Sequence, residues 1–222
     1  MKPIEQEIAL LKGYHSQMWE LVELQVRKAY KALENSDKEL SKEIITREKM
    51  VNAQELVVDH HCENFIALFN PVAVDLRFVI SLLKINNNLE RIGDFAESIA
   101  LFVQRSSSEE PLKELFEQLE LRAMMDTTLR MLTSARAALV REDSDIASSV
   151  LGMDDTIDRI NAQAVPIIAS YIVSHPQQAE QLLHLYAVIR RIERIGDRTS
   201  NIAEDVVFYV DAKELRHNPK KS

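Results

Sequence analysis

Apolar residues recur at alternating spacings of three and four along almost the whole chain, which is the period of an amphipathic helix. The pattern breaks at short segments rich in Asn, Asp, Ser or Pro, which are suited to ending one helix and starting the next. It predicts six helices, over residues 4–34, 37–69, 72–105, 112–141, 145–174 and 177–212. Pro166 falls inside the fifth, where it should kink the helix.

A five-residue sequence, Glu-Arg-Ile-Gly-Asp, occurs at 90–94 in the third predicted helix and again at 193–197 in the sixth. Identical pentads 103 residues apart in a chain of 222 indicate internal duplication. Within each pentad the Glu and the Asp are four residues apart, so they lie on one helix face and repel each other at neutral pH. The glycine costs a helix about 1 kcal/mol relative to Ala, which indicates that another backbone or a ligand comes close.

The sequence around the pentads is repeated as well. Pro71 corresponds to Pro176 at an offset of 105, and each half consists of a helix, a turn, a helix, a turn marked by Pro, and a helix. Because helices joined by short connections pack antiparallel, the expected fold is all-α, with two tandem antiparallel three-helix bundles related by duplication. The expected domains are residues 1–106 and residues 107–222, the second with a loose C-terminal tail from Lys213.

The helices beside the pentads carry acids at matching positions. Glu48 and Asn52 in the second helix correspond, at an offset of 106, to Asp154 and Asp158 in the fifth. On a helical wheel the acids of the pentad helices fall well off the apolar seam, so we expect them on the flank of each bundle and not in its core. Carboxylate oxygens are typical ligands of magnesium or manganese, and of iron or zinc where several carboxylates bridge. The candidate metal ligands are Glu48, Glu90, Asp94, Asp154, Asp158, Glu193 and Asp197.

These charges also have simpler interpretations. Acids four residues apart on a helix are commonly a solvated face, and Arg91 and Arg194 inside the pentads can pair with them in place of a metal. Asp75 and Arg77 open the third helix, where the helix dipole is sufficient to favour an acid. A catalytic interpretation has little support, because the sequence has no glycine-rich phosphate loop and its one Glu-x-x-His sequence lies in the tail.

Composition narrows the class of protein. The formal net charge of −8 disfavours nucleic-acid binding through the overall field. Cys62 is the only cysteine, which excludes an internal disulfide and a multi-cysteine zinc site. No N-terminal stretch has the layout of a signal peptide, and no apolar run approaches the ~18 residues of a membrane span. A cytoplasmic protein is therefore expected, with peripheral membrane association only through partners.

Three features together resemble the PhoU family of phosphate-specific transport accessory and regulatory proteins. They are the doubled pentad, the sequence Pro-x-x-x-Asp-Leu-Arg at 71–77, and an acid-rich second helix in each half, and the similarity covers residues 5–212. The resemblance implies two tandem three-helix bundles with E(D)xxxD motifs. It also implies multinuclear iron or zinc clusters in some members, and magnesium or manganese in others. By position, the motif pairs are Glu90/Asp94 and Glu193/Asp197, with Asp154/Asp158 as the partner pair of the second bundle.

The first bundle departs from the family pattern at Asn52, where an acid would complete Glu48-x-x-x-Asp, so we expect the second bundle to be the better metal site. The resemblance implies a non-enzymatic negative regulator of phosphate uptake and of the phosphate-starvation response. It implies contact with the ATPase subunit of the phosphate transporter and with a sensor histidine kinase, and a homodimer. Two alternatives stay open: a carboxylate metalloenzyme such as a phosphatase or oxidase, and a metal-free helical scaffold.

Overall fold

The computed structural model describes residues 3–106 and 113–213, and all regular structure within these ranges is helical. Three helices of 32 or 33 residues form the first half. The second half has four shorter helices, a single 3-10 turn and a final helix of 33 residues. The helices are α1 Pro3–Asn35, α2 Lys38–Phe69, α3 Ala73–Arg105, α4 Lys113–Gln118, α5 Leu121–Arg141, α6 Ser144–Leu151, α7 Asp154–Ser174 and α8 Ala179–Asp211, with the 3-10 turn at Pro176–Gln178.

The turn after the first long helix has the same hydrogen bonds in both halves. Asp37 follows α1, and its N–H donates to the Ala32 carbonyl at 2.9 Å; Asp143 follows α5, and its N–H donates to the Ala138 carbonyl at 3.0 Å. The side chain of each aspartate also accepts a hydrogen bond from the N–H three residues further on, which caps the next helix. The duplication in the sequence is therefore a duplication of local structure.

Two of the predicted helices are interrupted. The fourth breaks at Leu119 and Glu120, where Glu120 adopts a φ of 49°. The fifth breaks at Gly152 and Met153, which separates α6 from α7. Neither break is at Pro166; α7 continues through this residue, and the kink there stays a prediction. Pro166 lies on the exposed face of α7, where water can satisfy the carbonyl that the missing N–H leaves unpaired.

The predicted apolar seams of α3 and α8 form the centre of the core. In the first half α3 packs against α1 and α2, and in the second half α8 packs against α5, α6 and α7. This confirms the prediction of an all-α fold with two antiparallel three-helix bundles, in which α6 and α7 together take the place of α2. The buried seam residues are Leu82, Ile85, Leu89, Ile92, Ala96, Ile99 and Val103 on α3, and Leu185, Val188, Ile192, Ile195, Thr199, Ile202, Val206 and Tyr209 on α8.

The two bundles join along α3 and α8, which run antiparallel. Near the start of α3, the Phe78 ring lies 5.4 Å from the Tyr209 ring near the end of α8. At the opposite end, the Gln181 amide donates to the Ser106 hydroxyl at 3.3 Å. In between, the Arg194 guanidinium lies 6.0 Å from the centre of the Phe95 ring. This register places the two pentads side by side at the middle of the molecule.

The predicted domain boundary lies between residues 106 and 107, next to the undescribed residues 107–112, and the predicted loose tail from Lys213 lies outside the described residues after Lys213 itself. Each boundary therefore stays a prediction. Among the helices of the described ranges, none combines the length and the apolar character that crossing a bilayer requires.

His15 is an ionisable group inside the first bundle. Its side chain lies on the buried face of α1 with 2% exposure, and its Nε2 has no hydrogen-bond partner among the described residues. The Trp19 indole packs against it at a steep angle, with 6.4 Å between the ring centres. Burial lowers the pKa of the His15 imidazole to about 3, because a desolvated imidazolium is unfavourable.

We expect this histidine to make the fold sensitive to acid. Below the ordinary pKa of about 6.5 the unfolded chain binds a proton that the folded chain does not, so the free energy of unfolding falls as the pH decreases from 6.5 towards 3. The loss amounts to about 1.4 kcal/mol per pH unit, or about 2 kcal/mol at pH 5. His15→Leu removes the effect, so its stability relative to wild type should rise by that amount between pH 8 and pH 5 in urea titrations. Parallel pH profiles for the two proteins would contradict this.

Candidate metal sites in two helix grooves

Each pentad glycine allows a neighbouring helix to come close. A Cβ on Gly93 would stand 3.0 Å from Val51 Cγ1 and 3.6 Å from both carboxylate oxygens of Glu48, on α2. A Cβ on Gly196 would stand 2.9 Å from Ile157 Cδ1 and 3.3 Å from Asp154 Oδ1, on α7. The sequence predicted the approach of a backbone or a ligand at these glycines. The structure places there the side chains of the adjacent helix, including its acid.

In the groove between α7 and α8, three aspartates come together. Asp154 and Asp158 from α7 and Asp197 from α8 each offer one carboxylate oxygen, and these oxygens lie within 4.8 Å of one another. Ligands at 2.0–2.6 Å from a hard cation are separated by at most about 5 Å, so the three oxygens fit around one ion. Within residues 3–106 and 113–213, no other group of three or more His, Cys, Asp or Glu side chains meets this spacing.

Glu193, the fourth candidate in this groove, has a different partner. Its carboxylate lies 3.1 Å from Arg190 Nη1, one turn earlier on α8. Burial and the charge of Asp197 raise the pKa of Glu193, and Arg190 opposes the shift. Arg194, an alternative partner of the acids, lies over Phe95 of the first bundle, and its charge also opposes the raised pKa of Glu193. The second groove is thus centred on the three aspartates, with Glu193 beside them.

In the groove between α2 and α3, Glu48 is buried. Its exposed fraction is 5%, which corrects the expectation that the acids lie on the flank of the bundle, because α1 covers this residue from the far side. Glu48 Oε2 accepts a hydrogen bond from Gln25 of α1, and Oε1 has no hydrogen-bond partner among the described residues. Burial raises the pKa of Glu48 to about 7; Gln25 opposes the shift, and the nearby charges of Glu97 and Asp94 add to it.

The acids of the first pentad are bridged by an arginine. Arg91 Nε lies 3.4 Å from Glu90 Oε2, and Arg91 Nη1 lies 3.1 Å from Asp94 Oδ2. Burial and the charge of Asp94 raise the pKa of Glu90, and Arg91 opposes the shift. Asn52 is exposed at the outer edge of α2. The two grooves therefore share a backbone arrangement and differ in how their carboxylates are neutralised.

Asp75 and Arg77 are not part of either groove. They lie in the first turns of α3, about 20 Å along the axis from Glu90 at 1.5 Å per residue. Both are half-buried, and Asp75 is close enough to Tyr209 to contribute to the raised pKa of that phenol. The helix-dipole explanation of Asp75 is consistent with its position, and the structure offers it no role with the pentads.

Gln25 is the site residue that the sequence interpretation missed. It is fully buried among the apolar residues of α1, one turn after Val22 and one turn before Ala29. A glutamine in register with an apolar seam is the signal that could have identified it, because a buried amide needs polar partners. The chemistry of the donors fits a hard cation in both grooves: oxygen ligands throughout, and a buried carboxylate oxygen without a hydrogen bond in the first.

The close approach at Gly93 gives a test of packing. Gly93→Ala should gain about 1 kcal/mol of helix propensity and lose about 1–3 kcal/mol through overpacking against Val51, whose branched side chain is stiff. We expect a net decrease of about 1 kcal/mol in the free energy of unfolding, measured by urea denaturation. Gly13→Ala is the control, because a Cβ there meets nothing within 4 Å; it should stabilise by about 1 kcal/mol. Equal stabilisation by both changes would show that the approach at Gly93 imposes no constraint.

Comparison with known proteins agrees with the internal repeat. The model of the PhoU domain matches the chain twice, at residues 16–103 and 121–206. A phosphate-specific transport system accessory protein PhoU homolog from Thermotoga maritima is 33% identical over 216 residues, which is 96% of this chain and 90% of that protein. The crystal structure of PhoU from Pseudomonas aeruginosa superposes with a TM-score of 0.85 at 30% identity, covering 94% of this chain and 99% of that one.

A second solved structure, of the phosphate transport system regulatory protein PhoU from Streptococcus pneumoniae, superposes with a TM-score of 0.83 at 26% identity. It covers 96% of this chain and 99% of the other. The names of these proteins describe accessory and regulatory proteins, in agreement with the non-enzymatic interpretation. With both halves matched by the domain model and nearly the whole length shared with these relatives, the chain belongs to the PhoU family.

Proposed function

We propose that this chain is a cytoplasmic negative regulator of phosphate uptake and of phosphate-starvation signalling. It acts by binding the ATPase subunit of a phosphate transporter, a sensor histidine kinase, or both, and reaches the membrane only through these partners. Family membership supports this, together with the names of relatives as transport accessory and regulatory proteins. The homodimer implied by the family resemblance belongs to the same proposal.

The observation that carries the mechanism is the aspartate group of the second groove. Asp154 and Asp158, one turn apart on α7, face Asp197 on α8, and the absence of a side chain at Gly196 lets α7 come close enough for the three to converge. A divalent cation bound there would supply positive charge that neutralises the group. This part of the surface is negatively charged without the cation and neutralised with it. Its electrostatic complementarity with a partner therefore depends on whether the cation is bound.

A second candidate function, a metal-free scaffold, has one observation in its favour. Arg91 bridges Glu90 and Asp94 in the first groove, as an internal counter-ion would. In the second groove Arg194 lies over Phe95, and Glu193 has its ion pair with Arg190. The scaffold interpretation therefore suits the first pentad better than the second.

Asp154→Asn with Asp158→Asn tests the cation role. Removing two of three carboxylates should weaken Mn²⁺ binding at this groove on the order of 100-fold or more, because affinity for hard cations follows the number of charged oxygen ligands. Isothermal titration of the chelator-treated protein with Mn²⁺ measures this. Binding to the purified ATPase subunit or kinase, compared with Mn²⁺ and with chelator, should lose its metal dependence in the variant.

Asp155→Asn is the matched control, since Asp155 is an exposed acid on the same turn of α7 and is not part of the group. It should bind Mn²⁺ like wild type. In cells lacking the gene, wild type and Asp155→Asn should restore low phosphate uptake in phosphate-rich medium, and the double variant should not. A wild type that binds no divalent metal would remove the cation role, and unchanged uptake after deletion of the gene would remove the regulatory one.

A further inference from the structure

Gln25 ties three helices together at the first pentad. It lies on α1 with no exposed surface, and its side-chain amide donates to Glu48 Oε2 on α2. The same nitrogen lies 3.3 Å from the Gly93 carbonyl oxygen on α3. Both neighbours are acceptors, so only the NH₂ group of the amide fits here, which fixes its orientation. One neutral side chain therefore sets the position of the buried carboxylate against the pentad.

The hydrogen bond leaves Glu48 with one engaged oxygen and one available oxygen. Oε2 accepts from Gln25, while Oε1 is buried without a hydrogen-bond partner among the described residues and lies against Gly93. A buried acceptor without a partner is unfavourable by about 1–3 kcal/mol, and by more for a charged group. The arrangement is understandable if Oε1 is a ligand, since the hydrogen bond then holds the carboxylate in one orientation while a cation occupies the other oxygen.

The position that corresponds to Gln25 in the second repeat carries no amide. At the offset of 106 that relates Glu48 to Asp154, Gln25 corresponds to Met131, a fully buried residue of α5. Glutamine and methionine have similar lengths and volumes, so the core of the first bundle would be packed equally well by methionine. The fold therefore does not require an amide at position 25. What Gln25 provides and Met131 cannot is a hydrogen bond to the acid of the neighbouring helix.

We propose that Gln25 is a positioning residue that holds Glu48 in the orientation in which Oε1 can bind a cation in the first groove. The inference rests on the proposed cation role of the grooves and concerns how Glu48 is held for it. The first site depends on one buried glutamate oriented from α1, beside the acids of the first pentad. In the second groove the oxygens that converge belong to three aspartates of α7 and α8.

Gln25→Met tests this with almost no change of volume. It is made in a background of Asp154→Asn with Asp158→Asn, so that only the first groove remains, and the chelator-treated protein is titrated with Mn²⁺ while the EPR signal of the free ion is followed. Loss of an orienting hydrogen bond to a ligand commonly weakens metal binding about 10- to 100-fold, and we expect a decrease of that size. Gln25→Asn, whose amide is one methylene too short to reach Glu48, should give the same loss and replaces Gln25→Met if that variant does not fold.

Met131→Leu in the same background is the control, because it changes the corresponding core position of the other bundle, and it should leave the Mn²⁺ affinity unchanged. A purely structural glutamine would lower the melting temperature of Gln25→Met without changing its Mn²⁺ affinity, and that result would overturn the inference. Absence of Mn²⁺ binding in the background protein, with binding retained in wild type, would also overturn it while the proposed function stands. Absence of binding in wild type would instead remove the cation role as a whole.

Discussion

The close approach of two helices at a glycine is the constraint on which both grooves depend. At Gly93 and at Gly196 there is no room for a methyl group without displacing Val51 or Ile157. The glycine costs about 1 kcal/mol of helix propensity at each position, and in return the acid of the adjacent helix comes directly over the pentad. With a larger residue there, Val51 or Ile157 would have to shift, and the acid of the adjacent helix would be displaced with it.

The antiparallel pairing of α3 and α8 then makes the two grooves unequal. Because the pentads lie side by side at this interface, the arginine of one can reach the other bundle: Arg194 lies over Phe95. Arg91 instead remains with its own pentad and bridges Glu90 and Asp94. A duplicated sequence is thus placed in two different electrostatic environments. The difference comes from the interface between the halves, which the pentad sequence alone does not describe.

Periodicity and spacing were sufficient for the fold and for the pairing of acids, since both depend on angles around a helix. The seam of α3 and the correspondence of Glu48 with Asp154 follow from such angles. The burial of a side chain does not follow from such angles, because a helical wheel cannot show that α1 covers Glu48. Gln25 was missed for the same reason, because its role requires knowing that three helices meet at one point. The break before α7 was not predicted, because the helical period of the predicted fifth helix gives no sign of it.

The two grooves have the same backbone arrangement but different side chains over the glycine. Over Gly93 the neighbouring helix presents Glu48 and Val51, and over Gly196 it presents Asp154 and Ile157. The acid is one methylene longer in the first groove and the aliphatic residue one methylene shorter, so the carbon content over each glycine is the same, as close packing requires. Moving one methylene from the aliphatic side chain to the acid extends the reach of the carboxylate to the amide of α1. The exchange leaves the packing of the bundle intact and changes which groups can orient the acid, so a repeat can diverge in function without diverging in fold.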